Sequence, residues 1–96
     1  MLFGKVMGTV VSSRKDEKLE GLKFQVLEVI DIYGKPTKNY VVAADSVQAG
    51  IGEIVLYATG SSARQTTITN NRPCDAVIMA IVDTWDVGGN IIYTKE

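Results

Sequence analysis

The sequence contains no histidine. That removes the one side chain that titrates near neutral pH and the commonest metal ligand. No Ser-His-Asp or Cys-His nucleophile can be assembled from this chain. A single cysteine, Cys74, rules out an internal disulfide framework and fits a reducing, cytoplasmic setting. Neither sign of charge is in excess, since 10 Lys and Arg face 11 Asp and Glu for a net charge of -1. Domains that bind nucleic acid by neutralising phosphates carry a clear positive excess, so no nucleic-acid partner is expected. No apolar run approaches the roughly 20 residues that span a bilayer, so no membrane partner is expected either. Met1-Leu2-Phe3-Gly4-Lys5 lacks the basic-then-apolar order of a signal peptide. Aromatics make up only 7% of residues and do not alternate with basic residues, unlike a face that stacks bases.

What is present is a short, apolar chain. Its 96 residues suit one domain, taken here as 1–96, with no linker, repeat or low-complexity segment. A domain this small buries only about 60–65% of its unfolded surface. With 46% of residues apolar, some apolar surface is left for a partner, and self-association is the commonest way to cover it.

The apolar stretches are short, rich in Val, Ile and Tyr, and divided by turn residues, which predicts strands. They fall at about Phe3–Ser13, Leu22–Ile32, Asn39–Ala44, Glu53–Ala58 and Ala76–Asp83. Gly88-Gly89-Asn90 then turns into a short last strand, Ile91–Tyr93, giving a terminal hairpin. Arg14 to Lys18 is a mixed-charge turn, either a solvated hairpin tip or a docking surface. Ser61 is placed to cap a short helical insertion, which Pro73 would end. The expected fold is all-β: a small five-stranded OB-like barrel, with a β-sandwich as the alternative.

The densest signal is Val42 to Arg64, where two glycine-rich turns flank one apolar strand. Gly50-Ile51-Gly52 lacks the Lys-Ser or Lys-Thr of a P-loop, and a strand follows it where a dinucleotide fingerprint needs a helix. Its glycines fit a turn with positive φ or close packing. Glu53, at the mouth of an apolar strand, calls for a backbone N–H or basic partner. Gly60-Ser61-Ser62-Ala63-Arg64 lacks the second glycine of a nucleophile elbow, and Arg64 is either an interface or anion-binding residue or solvent-exposed. Asp45, Asp75 and Asp83 are open to two uses, a converging carboxylate site or, more commonly, turn caps. Cys74 reads as a small buried apolar residue, and Trp85 as partly exposed. No catalytic residue, metal or cofactor is expected.

Taken together, these residues resemble the pentameric vertex-protein family of bacterial microcompartment shells, which includes carboxysome, ethanolamine- and propanediol-utilisation members. The likeness runs through Gly4-Lys5-Val6-Met7-Gly8-Thr9-Val10-Val11-Ser12-Ser13-Arg14-Lys15, Leu19-x-Gly21-x-Lys23, Ala44 to Glu53, Gly60 to Arg64, Asn71 to Ala76 and Ile81-Val82-Asp83. Two positions depart from the family pattern: Gln48 stands where Gly-Ala-Gly-x-Gly-Glu opens with glycine, and Cys74 stands where Val is common. The resemblance implies an OB-like barrel in a cyclic homopentamer that fills five-fold corners of a shell of hexameric tiles. It implies a non-catalytic role, with enzymes enclosed inside, and the pattern leans toward a catabolic compartment. The small residues Ala49, Gly50, Gly52, Gly60, Ser61, Ser62 and Ala63 suit close subunit approach near the ring axis. Glu53 and Arg64 are expected to bond between subunits. Ser13, Arg14, Lys15, Asn71, Arg72 and Pro73 are expected to face neighbouring hexamers. The alternative is an OB-type module that binds single-stranded nucleic acid or a small ligand. An enzyme is disfavoured by the missing histidine.

Overall fold

The computed structural model describes residues 1–13, 16–19, 21–60, 63 and 75–96. Five strands close into a barrel: β1 (Leu2–Val10), β2 (Phe24–Ile30), β3 (Pro36–Asp45), β4 (Ile54–Thr59) and β5 (Ala76–Ile81). Their order around the wall is β1-β2-β3-β5-β4, and β4 pairs back onto β1. A further hairpin, β6 (Thr84–Val87) with β7 (Asn90–Thr94), forms its own two-stranded sheet. The expected all-β, OB-like barrel with a terminal hairpin is therefore present. Most of the expected helical insertion after Ser61 lies outside the described residues; Gly60 and Ala63 are in 3-10 conformation, and a further short 3-10 turn is Glu17–Leu19.

Several boundaries differ from the expectation: β1 ends at Val10 instead of Ser13, and β2 is Phe24–Ile30 instead of Leu22–Ile32. β3 starts at Pro36, because a proline is tolerated as the first residue of a strand. β5 ends at Ile81 instead of Asp83, because Val82 turns out to pack beneath the hairpin.

Side-chain alternation explains the core. The row Val6, Leu27 and Val41 points inward across three strands, as does Gly4 with Val55 and Ile81. Val6, Leu27, Ala43, Val55, Tyr57, Ala76 and Ile78 are buried together. Tyr57 is the largest fully buried side chain, and burial pushes its phenol pKa up. It fits because Gly4 has no side chain: a Cβ there would meet the Tyr57 ring at 3.1 Å and Leu27 Cβ at 3.3 Å. β-Bulges at Met7 on β1 and at Thr37–Asn39 on β3, opposite Val29, let the strands curve into closure.

The parallel β3–β5 contact is short, pairing only Ala44 with Val77 and Asp45 with Ile78. Ahead of it β3 has no strand partner on that side among the described residues. Pro36 and Lys38 lie there, and Lys38 adopts a left-handed φ of 62°. Both are devices that blunt an edge against strand addition.

The terminal hairpin covers one sector of the outer wall. A lone two-stranded hairpin is marginal in water, so its stability comes from docking. Trp85 stacks on Phe3 at 4.3 Å between ring centroids and on Tyr93 at 5.2 Å. Its indole N–H donates to the Ile32 carbonyl at 2.8 Å. Beneath it lie Ile30, Ile54, Leu56 and Val82. Trp85→Ala should cost about 2–4 kcal/mol through lost packing and release the hairpin. Chemical denaturation with limited proteolysis checks this; wild-type stability and an uncut residue 84–96 segment would refute it.

Candidate functional site

The segment singled out from sequence, Asp45 to Glu53, leaves the end of β3 and crosses the mouth of the barrel to β4. A buried polar cluster holds it in place. The Asp45 carboxylate accepts from the Val47 N–H at 2.9 Å and from the Ala49 N–H at 2.9 Å. The Gln25 side-chain amide, on the inward face of β2, donates to Asp45 Oδ2 at 3.1 Å and to the Ala49 carbonyl at 2.9 Å. Its carbonyl oxygen accepts from the Thr9 hydroxyl at 2.8 Å. Both Gln25 and Asp45 are buried, and each polar atom has a partner, so the hydrogen bonds offset the cost of taking these groups out of water.

Asp45 is thus a turn cap, one of the two uses its position allowed. No group of His, Cys, Asp or Glu suited to a metal occurs among the described residues. Asp75 instead contributes its backbone carbonyl to the Gly60 N–H at 2.9 Å, and the Asp83 carbonyl accepts from the Lys95 N–H at 2.7 Å.

The turn beyond Ala49 is Gly50-Ile51-Gly52-Glu53. The Glu53 N–H donates to the Gly50 carbonyl at 3.1 Å, and Gly52 takes φ +89° at the third position, where a type II turn requires it. Ile51 is left outside at the turn's tip, 75% exposed. The Val6 N–H donates to the Glu53 carbonyl and the Gly52 N–H to the Val6 carbonyl, so the turn continues the β1–β4 ladder. The Gly50 N–H points at Glu53 Oε1, 2.5 Å away. A carboxylate therefore already holds the N–H that a phosphate would need, which removes the nucleotide reading of the two glycines.

The partner sought for Glu53 is Lys95, whose ammonium lies 2.5 Å from Oε2. Bonds to Lys95 and then to the Gly50 N–H hold the Glu53 pKa below its ordinary value, and the same pair raises Lys95. Both carboxylate oxygens are engaged within the chain. Nothing in the local sequence pattern reveals this pairing, because 42 positions separate the two residues.

The other predicted residues divide. Ala49 and Ala63 are buried within the chain's own core, with Ala63 packed on Ala44, Ala58 and Val77. Their small size serves packing inside the subunit. Gly50, Gly52 and Gly60 are exposed, as is Ser13. Arg14, Lys15, Ser61, Ser62, Arg64, Asn71, Arg72, Pro73 and Cys74 lie outside the described residues. Sequence inspection overlooked Gln25; the available signal was a polar residue on the inward register of Phe24-Gln25-Val26-Leu27.

A family model described as "Ethanolamine utilisation protein EutN/carboxysome" matches residues 1–83. The chain belongs to the EutN/CcmL family. The carboxysome shell vertex protein CcmL of Gloeobacter violaceus is 47% identical over 96 residues, covering 100% of this chain and 96% of that protein. The solved structure of Gloeobacter violaceus CcmL superposes with a TM-score of 0.96, covering 99% of this chain and 98% of the other. The pentameric microcompartment shell protein GrpN from Rhodospirillum rubrum superposes with a TM-score of 0.83 at 42% identity, covering 91% and 99%. The vertex protein EutN of Escherichia coli is 37% identical over 95 residues, covering 99% and 100%. Identity is higher to this CcmL than to this EutN, the reverse of the sequence's lean toward a catabolic compartment.

Within the family turn, the departure at Gln48 has a structural meaning. Gln48 adopts φ 59°, the left-handed conformation that glycine enters freely. The buried cluster imposes that shape whichever residue is present. Gln48→Gly should therefore stabilise the chain by about 0.5–1 kcal/mol, the strain relieved less the entropy of the glycine. Equilibrium urea unfolding measures it, and a destabilised variant would refute the strain.

The Glu53–Lys95 pair predicts a pH response. A carboxylate with a lowered folded pKa contributes stability above its unfolded value and loses it as pH falls through the folded one. Protection of the Gly50 amide should hold at neutral pH and fall only below the ordinary carboxylate range. Glu53→Gln should show the unprotected state at every pH. Amide exchange by NMR decides, and equal protection in both proteins at pH 7 would refute it.

Proposed function

We propose that this chain is a non-catalytic vertex subunit of a bacterial microcompartment shell in the cytoplasm, working as a homopentamer. The observation that carries this is its full-length likeness, in sequence and in fold, to shell vertex proteins. A flat layer of hexagonal tiles cannot close on itself, and a five-fold unit at each corner supplies the curvature that closes the polyhedron around the enclosed enzymes. In this role residues 1–96 act as one vertex-protein domain, the docked hairpin being part of it. The partners are further copies of the chain and, at the ring's rim, hexameric shell proteins. Gly50, Gly52, Glu53 and Gly60, with Ser61, Ser62 and Arg64, are assigned to the ring contact or axis. Ser13, Arg14, Lys15, Asn71, Arg72 and Pro73 are assigned to the contact with hexamers. The role requires no cofactor.

The OB-type binding module receives no support from the wall that OB-folds use. The outward row on β1, β2 and β3 is Gly8, Val26 and Val42, beside Val10 and Phe24, in place of stacked aromatics among cations. Trp85 is committed to the hairpin stack.

Native mass spectrometry across a concentration series tests the role. A discrete five-subunit species is expected, and co-expression with hexameric shell proteins should then give closed particles by electron microscopy. A monomer at every concentration, alone and with hexameric proteins, would overturn it.

A further inference from the structure

The terminal hairpin is fastened to the barrel at its root, along its length and at its end. At the root the Val82 N–H donates to the Ile54 carbonyl at 2.8 Å. Along the length Trp85 stacks on Phe3 and donates to the Ile32 carbonyl, and Gly34 lies so near that a Cβ there would touch Ile92 and Trp85. At the end the Lys95 ammonium binds Glu53 Oε2. The Lys95 N–H donates to the Asp83 carbonyl and closes the base of the hairpin. Among the described residues the Lys95 backbone bonds to Asp83 alone, so the side chain is delivered to Glu53 by the formed hairpin. Glu53 in turn faces two ways. One oxygen takes Lys95 and the other takes the Gly50 N–H, against which a Gly50 Cβ would lie 3.2 Å from Oε1. One carboxylate therefore joins the end of the hairpin to the turn that carries the exposed Ile51.

We infer that the hairpin is a strap with a docked and a released state, and that its docking fixes the Gly50–Glu53 turn through Lys95. Lys95 is the positioning residue of this device. A hairpin of this length does not hold by itself in water, so its formation and its docking on Phe3 come together. Docked, it presents the ammonium to Glu53, and the carboxylate is held on the Gly50 N–H. Released, it leaves Glu53 with the Gly50 bond alone, and water competes for both groups. The contact that differs between the two states is one surface ion pair, so the coupling is about two- to five-fold. It is also reciprocal: whatever holds the turn in place favours the docked strap by the same factor. The barrel stands apart from the switch, because its five strands close and its central core packs without residues 84–96. The device belongs to the single chain and goes beyond the vertex reading. Where the turn serves the ring, as proposed above, docking of the strap fixes the shape that the turn presents.

Amide exchange by NMR tests this, with the Gly50 N–H reporting the turn and the amides of β2, flanked by β1 and β3, reporting the barrel. Trp85→Ala removes the docking ring. Tyr93→Ala, which removes the outer ring of the stack, is the second variant should the first not fold. Each is made in the wild-type and the Lys95→Met chain and compared at matched assembly state by native mass. Ring removal should speed Gly50 exchange about two- to five-fold, to the level of Lys95→Met alone, with the β2 amides still protected. In the Lys95→Met chain the same ring removal should add nothing at Gly50. Lys95→Arg, which keeps the charge, should stay at the wild-type rate. A Gly50 rate unmoved by ring removal would overturn the inference, because strap and turn would then be independent. An equal acceleration with and without the Lys95 ammonium would overturn it too, because the link would not run through Lys95. Failure of both ring variants to fold would make hairpin and barrel one unit, which leaves no strap. The vertex role is untouched by these outcomes and stands or falls by the native mass of the wild-type protein.

Discussion

Asp45 ends β3 with its carboxylate turned into the barrel, and much of the architecture depends on how that charge is satisfied. Two backbone N–H groups of the following turn and the amide of Gln25 bond to it. Leaving one such buried partner unmade costs about 1–3 kcal/mol, and more for a charged group. The chain after β3 is therefore bound to fold back over the barrel mouth. That return carries Ala49 into the core beside Val6 and Tyr57, and it forces Gln48 into the left-handed region. It also sets Gly50 to Glu53 against Val6 on β1, from where Glu53 reaches Lys95 at the far end of the chain. One buried cluster thus links β1, β2, β3, the turn and, through it, the C-terminal residues.

The outer wall follows a different logic. Strand alternation gives a barrel this small an apolar exterior as well as an apolar interior, because valine, isoleucine and phenylalanine occupy outward positions such as Val10, Phe24, Val42 and Ile54. A 96-residue chain has little extra length with which to cover them. The aromatic stack of Phe3, Trp85 and Tyr93 fastens the hairpin over one sector, and Ala63 packs on Ala44, Ala58 and Val77 at another. Among the described residues, Val10, Val11 and Val42 therefore stay exposed.

Charge plays a lesser part. With a net charge of -1, long-range steering contributes little to assembly. The Glu53–Lys95 pair lies at the surface, where ion pairs are screened and weak, so it fixes the path of the last residues more than it stabilises the fold. Apolar burial remains as the main driving force for association.

The sequence by itself determined the strand content, because period-two apolar runs bounded by Gly, Asn and Asp are local signals. It determined the exclusion of histidine-based chemistry, and its ordered motifs from Gly4 to Asp83 carried the family. It located the Gly50–Glu53 turn and the need of Glu53 for a partner. Only the tertiary structure decided who that partner was, since Lys95 arrives through the docking of a hairpin and not through any spacing along the chain. Tertiary structure alone also put Ala49 and Ala63 inside the subunit, for a small residue reads the same in a core as at an interface. Gln25 became a structural centre only when three strands brought Thr9, Asp45 and Ala49 around it. The exposure of Val10 and Val42 has the same origin: they are ordinary strand residues until the fold buries other apolar positions and leaves these outside.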